Sequence, residues 1–113
     1  DYKQQDIEEH IIEANDTSNY EIIAKHAQEC ITFIDKCKHE NGKVLIHCFA
    51  GVNRSTTMTV VYLLHYYKHY NLLQAIEHIV QRRSSALFIS NLYFRQQLIQ
   101  YAFTLDKLNG HSI

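Results

Sequence analysis

The sequence predicts an α/β domain in which helices flank a small central sheet. The segment from Lys43 to His47 contains an uninterrupted apolar run and follows a turn signal at Asn41 and Gly42, a pattern typical of a buried strand. Residues 7–14 contain a second short apolar run, which we also interpret as a strand. Most other apolar residues recur at helical spacing, so helices should dominate around this sheet.

The first helix should begin at a capping box, in which Ser18 is followed three residues later by Glu21. A serine hydroxyl and a glutamate carboxylate at this spacing can each accept a hydrogen bond from a free backbone N–H group at a helix start. The apolar residues that follow share one helical face and are predicted to be buried: Ile23, Ala27, Cys30, Ile31 and Ile34.

A second helix should begin at Asn53 or Arg54. It is apolar nearly all round at residues 60–64, which predicts a central position. Asn71 and Gln74 resemble another capping box, and the helix after them should bury Leu72, Ala75, Ile76, Ile79 and Val80. After a loop at residues 84–90, Asn91 should cap the last helix. The inward face of that helix is predicted to consist of Phe94, Leu98, Tyr101, Ala102 and Leu105.

Length and composition bound the class of protein. With 113 residues, 46% of them hydrophobic and 20% charged, the chain should form one globular domain over residues 1–113, with a frayed tail at 109–113. The net charge of −1 favours neither nucleic acid nor an anionic membrane as a partner. No apolar run approaches the roughly eighteen residues that a membrane span requires. Three cysteines at irregular spacing suit a reducing compartment, so we expect the cytoplasm or the nucleus.

The most informative segment is HCFAGVNRS, at residues 47–55. A cysteine that ends a strand is followed by five residues and then by an arginine at a helix start. Backbone N–H groups in such a turn form an anion-binding nest, and the helix N-terminus adds partial positive charge. Arg54 offers a planar fork that matches two phosphate oxygens, and a Cys48 thiolate at the base of the nest could attack phosphorus. The segment therefore indicates phosphate chemistry at a cysteine.

The pattern HC-x5-R-S resembles the signature of the cysteine-dependent protein phosphatases, and this copy is similar to their dual-specificity, H1-like branch. Three other segments add to the resemblance: residues 14–17, residues 33–46 and residues 91–98. It implies a phosphatase-like core with N-terminal strands missing or shortened, because that family's domain normally begins further upstream. A short sheet with exposed edges would favour a homodimer.

The resemblance assigns catalytic roles to four residues. Cys48 would be the nucleophile, and Arg54 would clamp the phosphate through the transition state. Ser55 would donate a hydrogen bond to the Cys48 sulfur as the intermediate breaks down; its alternative role is helix capping. Asp16 would be the general acid and then the general base, although the Asp-Thr-Ser sequence is also good cap chemistry. We interpret Cys30 and Cys37 as structural.

Supporting roles are assigned around the signature. The phosphate-binding loop would consist of Phe49, Ala50, Gly51, Val52 and Asn53. Asn53 could orient the loop or the attacking water, or only satisfy backbone groups. His47 would support the thiolate from behind the loop, with an ordinary core histidine as the alternative. Asn91 is a helix cap that this family often packs near the loop.

No metal or organic cofactor is expected. His65 and His69 have the i, i+4 spacing of some zinc ligands, but no third ligand is evident. The resemblance implies hydrolysis of phosphotyrosine and of phosphoserine or phosphothreonine in a phosphoprotein partner, through a phosphocysteine. One alternative is a catalytically weak phosphoprotein-binding module. The other is an RNA 5′-triphosphatase of the same superfamily, although such enzymes usually lack the acid that Asp16 supplies.

Overall fold

Three helices pack around a central fourth helix in the computed structural model, which describes residues 7–48, 53–82 and 89–108. Their bounds are α1 Ile22–His39, α2 Asn53–Tyr66, α3 Leu72–Arg82 and α4 Leu92–Thr104. Helix α2 packs against each of the other three, which confirms its predicted central position. The phosphate-loop residues Phe49 to Val52 and the tail 109–113 lie outside the described residues.

The predicted central sheet is wrong for the part of the chain that the structure describes, where no residue is in a strand. Residues 7–14 and 43–47 are irregular, and neither segment forms a backbone–backbone hydrogen bond with another described residue. Leu45 is 80% exposed and Ile11 is 70% exposed, so both runs leave large apolar side chains unburied. An apolar run indicates that a segment could be buried as a strand, but a strand also needs a second strand whose backbone groups pair with it.

The predicted capping box at the start of α1 is also wrong. Helix α1 begins four residues after Ser18, and the side chain of Glu21 forms no cap hydrogen bond. Gln97 of α4 caps this end instead: its Oε1 accepts from Ile23 N at 3.2 Å, and its Nε2 donates to Tyr20 O at 2.8 Å. The start of α1 is therefore set by a residue distant in sequence, and its predicted inner face is buried as expected.

The predicted starts of α3 and α4 are confirmed. Asn71 Oδ1 accepts from Gln74 N at 2.8 Å, while Gln74 Oε1 accepts from Asn71 N at 2.9 Å. This exchange is the reciprocal pattern of a capping box. At α4, Asn91 Oδ1 accepts from Tyr93 N at 3.0 Å and from Phe94 N at 3.1 Å. Local chemistry is enough to start both helices.

Two residues after α1 ends, Asn41 lies in the left-handed region with a φ of 60°. Gly42 N donates to Cys37 O at 2.8 Å, which satisfies a carbonyl of the last helical turn. This geometry is that of a Schellman-type C-terminus in which asparagine takes the place that glycine usually occupies.

The core lies where α2 meets the other helices. The largest fully buried side chains are Phe94, Ile22, Leu64, Val60, Val61 and Thr57. The predicted inner faces of α3 and α4 are only partly right, because Ile76, Val80 and Leu105 are 36%, 39% and 40% exposed. Among the described residues, no helix is long and apolar enough to cross a membrane.

Candidate active site

The first turn of α2 contacts the segments that carry the other predicted catalytic residues. Asn53, Arg54 and Ser55 are its first three residues, and successive side chains leave an α-helix in directions about 100° apart. Each therefore contacts a different part of the chain: Asn53 contacts Asp16, Arg54 contacts the backbone of residue 14, and Ser55 contacts Cys48.

Cys48 lies beside Ser55, with its Sγ 3.3 Å from the Ser55 Oγ. Both residues are partly buried. A contact of this length suits a hydrogen bond from the thiol to the hydroxyl oxygen, or from the hydroxyl to a thiolate. The cysteine and the serine of the signature are thus in direct contact, a position from which Ser55 can form the predicted hydrogen bond to the sulfur.

The Arg54 guanidinium forms a hydrogen bond at one of its ends. Its Nη1 donates to Ala14 O at 3.0 Å. Its Nε is buried and has no hydrogen-bond partner among the described residues. A buried N–H group requires an acceptor, and an oxyanion is the kind of acceptor that the signature predicts for Arg54.

Asp16 is held by two asparagine side chains. Its Oδ2 accepts from Asn53 Nδ2 at 2.9 Å, and its Oδ1 accepts from Asn91 Nδ2 at 2.9 Å. These asparagines stand at the starts of α2 and α4. Asp16 is exposed to solvent, so its carboxyl group is oriented without being buried.

Ser90 completes the cluster, and sequence reasoning did not identify it. Ser90 N donates to Asn53 Oδ1 at 2.7 Å, and Ser90 Oγ accepts from Asn53 Nδ2 at 3.2 Å. Asn91 Nδ2 also donates to Thr17 O at 2.9 Å. The only available signal was the position of Ser90 next to the predicted cap at Asn91, which does not by itself indicate a role.

A second polar network fastens the segment that leads to Asp16. Glu29 of α1 contacts His10 Nε2 at 2.9 Å and His26 Nδ1 at 2.8 Å, and these two histidines lower the pKa of its carboxyl group. Tyr20 Oη lies 2.5 Å from His26 Nε2 and donates to Glu13 O at 3.2 Å. Residues 10–13 are therefore attached to α1, which restricts where Asp16 can lie.

An open cleft of about 590 Å³ lies beside the cluster. Its lining residues are mostly polar: Asp16, Ser18, Asn53, Ser90, Asn91, Leu92, Tyr93 and Gln96. A separate cavity of about 240 Å³ is lined mostly by apolar residues of α2, α3 and α4, and none of the predicted site residues lines it. This polar cleft therefore adjoins Asp16 and Asn53, whereas Cys48, Arg54 and Ser55 do not line it.

The other two cysteines differ from Cys48 in their surroundings. Burial, with a smaller contribution from Glu29, raises the pKa of Cys30 to about 11, so this thiol stays protonated at neutral pH. Cys37 donates from Sγ to Lys43 O at 3.5 Å at the end of α1. The burial of Cys30 agrees with its predicted structural role, and neither cysteine contacts the Asp16 cluster through a described hydrogen bond.

The histidines do not form a metal centre within the described ranges, where no three potential metal ligands converge. His65 instead contacts Asp35 Oδ2 at 3.1 Å. His47 is exposed, and its side chain forms no hydrogen bond with another described residue. Its supporting role behind the phosphate-binding loop stays a prediction.

Comparisons with known proteins agree with the signature. A family model described as "Dual specificity phosphatase, catalytic domain" matches residues 1–103. Dual specificity protein phosphatase 5 of Rattus norvegicus is 48% identical over 79 residues, which are 70% of this chain and 20% of that protein. Dual specificity protein phosphatase 1 of Arabidopsis thaliana is 38% identical over 77 residues, 67% of this chain and 36% of that protein. The chain thus spans between a fifth and about a third of the length of these two curated relatives.

Proposed function

Because this chain belongs to the dual-specificity phosphatase catalytic domain family, we propose that it is a protein phosphatase acting through a phosphocysteine. Its substrates are phosphotyrosine and phosphoserine or phosphothreonine in phosphoproteins. The observation that carries the proposal is that three consecutive residues of the first turn of α2 contact or contain the three proposed catalytic groups. Cys48 lies 3.3 Å from Ser55, Arg54 has a buried N–H without a partner among the described residues, and Asp16 is held by Asn53.

In the first step, the Cys48 thiolate attacks phosphorus in line with the leaving oxygen. An S–P bond forms as the P–O bond to the substrate breaks. Asp16 gives its proton to the leaving oxygen, which departs as a neutral alcohol or phenol. Arg54 and the loop amides stabilise the negative charge on the remaining phosphoryl oxygens.

In the second step, water attacks the phosphocysteine. Asp16, now a carboxylate, takes a proton from the water, the S–P bond breaks, and inorganic phosphate and the Cys48 thiolate are released. The Ser55 hydroxyl, 3.3 Å from the sulfur, donates a hydrogen bond to the departing thiolate. Neither step requires a metal ion or an organic cofactor.

The polar cleft beside Asp16 supports a phosphoprotein substrate. The Ser18 and Gln96 side chains in its lining can bind the backbone of an extended peptide through neutral hydrogen bonds, while Asn53 and Asn91 hold Asp16. In this proposal residues 1–113 act as one catalytic domain in the cytoplasm or nucleus.

The test is phosphate release from matched phosphotyrosine and phosphothreonine peptides in the presence of a metal chelator. We expect release from both peptides, abolished by Cys48→Ser and reduced by about 10²-fold or more in Asp16→Asn. Cys37→Ser is the matched control, because it removes a thiol outside the Asp16 cluster and should keep full activity.

Three outcomes would contradict the proposal. Turnover that survives Cys48→Ser would exclude the phosphocysteine, and turnover lost equally in Cys37→Ser would remove the special status of Cys48. Tight binding of the phosphopeptides without any turnover would instead favour the phosphoprotein-binding module.

A further inference from the structure

The side chain of Asn53 joins three parts of the chain that are distant in sequence. Its Nδ2 donates to Asp16 Oδ2 at 2.9 Å and to Ser90 Oγ at 3.2 Å. Its Oδ1 accepts from Ser90 N at 2.7 Å and from Asn91 N at 3.4 Å. Each end of the amide therefore has a partner outside α2.

Helix capping does not explain these contacts. An asparagine at a helix start commonly uses its side-chain oxygen to accept from N–H groups of its own helix. Asn71 and Asn91 do this at α3 and α4. Among the described residues, Asn53 Oδ1 accepts only from the segment before α4, and no hydrogen bond links it to an N–H group of α2. Its amide is committed to tertiary contacts.

We propose that Asn53 is a positioning residue, which holds the Asp16 carboxyl group where it can protonate the leaving oxygen. This inference rests on the proposed function, in which Asp16 is the general acid. Proton transfer requires the acid to lie within hydrogen-bond reach of the leaving oxygen, and a displacement of about 1 Å can cost about 10²-fold in rate. Asn53 is directly followed by Arg54, so one helix turn places both the phosphate clamp and the acid.

An amide is suited to this role because its two ends have opposite hydrogen-bonding character. The NH2 group donates to the carboxylate, while the carbonyl accepts from the backbone before α4. Asn91 holds the other oxygen of Asp16 but also caps α4, so its replacement would change the fold as well. Asn53 is therefore the position at which orientation of the acid can be tested more separately.

The test measures kcat for a series of aryl phosphates whose leaving groups differ in pKa. A poor leaving group needs a proton in the transition state, whereas a good leaving group departs without one. We expect Asn53→Ala to lower kcat by about tenfold or more for the poorest leaving groups and far less for the best, with little change in KM. Asn53→Leu, which is similar in size and cannot form hydrogen bonds, is the second variant should the alanine variant fail to fold.

Two controls separate positioning from general damage. Asn71→Ala removes an asparagine with a purely structural contact at α3, and it should leave the dependence on the leaving group unchanged. In the background of Asp16→Asn, Asn53→Ala should have little further effect on that dependence, since residues that act through one another are not additive.

The inference is overturned if Asn53→Ala lowers kcat equally for every leaving group, or if its effect adds fully to that of Asp16→Asn. A chain that shows no Cys48-dependent turnover on any aryl phosphate would overturn the proposed function, and this positioning role with it. The two failures are distinguishable, because only the first leaves an active phosphatase.

Discussion

Replacement of Asn91 by alanine should destabilise the protein more than loss of an ordinary helix cap. The side chain accepts from two backbone N–H groups of α4 and donates to Asp16 and to the backbone of Thr17. Loss of an asparagine cap costs about 0.5–2 kcal/mol, and each further hydrogen bond contributes about 0.5–1.5 kcal/mol. Because the partner Asp16 is exposed, we take the lower end for those bonds and expect a total of about 2 kcal/mol.

Asn91→Ser separates the two contributions. Serine caps a helix about as well as asparagine, but its single short hydroxyl group cannot also donate to Asp16 and Thr17. The serine variant should therefore lose about 1 kcal/mol. The matched control is Asn71→Ala, which removes a capping side chain that accepts from one backbone N–H group and should cost about 1 kcal/mol.

The assay is urea-induced unfolding followed by circular dichroism, with the midpoint and the slope both fitted. For a domain of this size, the alanine variant should also melt roughly 8 °C lower, at about 4 °C for each kcal/mol. Equal losses for Asn91→Ala and Asn71→Ala would refute the reasoning, since the contacts with Asp16 and Thr17 would then contribute nothing. A serine variant as unstable as the alanine variant would refute the separate contribution of the cap.

Three other perturbations test separate parts of the structure. Contacts with His26 and His10 lower the pKa of Glu29, so its stabilising contribution is present above the pKa of the unfolded state and is lost as pH falls through the lower folded value. Glu29→Gln should therefore weaken the dependence of the free energy of unfolding on pH below about 4.5. An unchanged pH dependence in that range, measured by urea unfolding, would contradict this. Burial raises the pKa of Cys30 to about 11, so iodoacetamide at pH 8 should leave Cys30 unmodified in the folded protein and label it after unfolding. Peptide mass spectrometry measures the labelling. Rapid labelling in the folded state would show that Cys30 is not buried. Asn41 has a φ of 60°, so Asn41→Gly should leave the free energy of unfolding unchanged or raise it slightly, while Asn41→Val should lower it by about 1–2 kcal/mol. Thermal unfolding measures both variants. Equal stability of the two would exclude the left-handed conformation.

Sequence alone determined the features whose causes lie within a few residues. The caps at Asn71 and Asn91 are recognisable because donor and acceptor are at most three positions apart. The start of α2 at Asn53 and the HC-x5-R-S signature are equally local, and the family predicted from that signature is confirmed by the comparisons.

Tertiary structure decided the features that depend on pairing between distant segments. The expected strand at residues 43–47 forms no backbone–backbone hydrogen bond with another described residue, because an apolar run does not specify its partner. Gln97 caps α1 from 74 positions away, and Asn53 contacts Asp16 from 37 positions away. Sequence periodicity indicates which face of an element is apolar. These polar contacts depend instead on how the helices pack together, because only the folded chain brings their donors and acceptors within hydrogen-bonding distance.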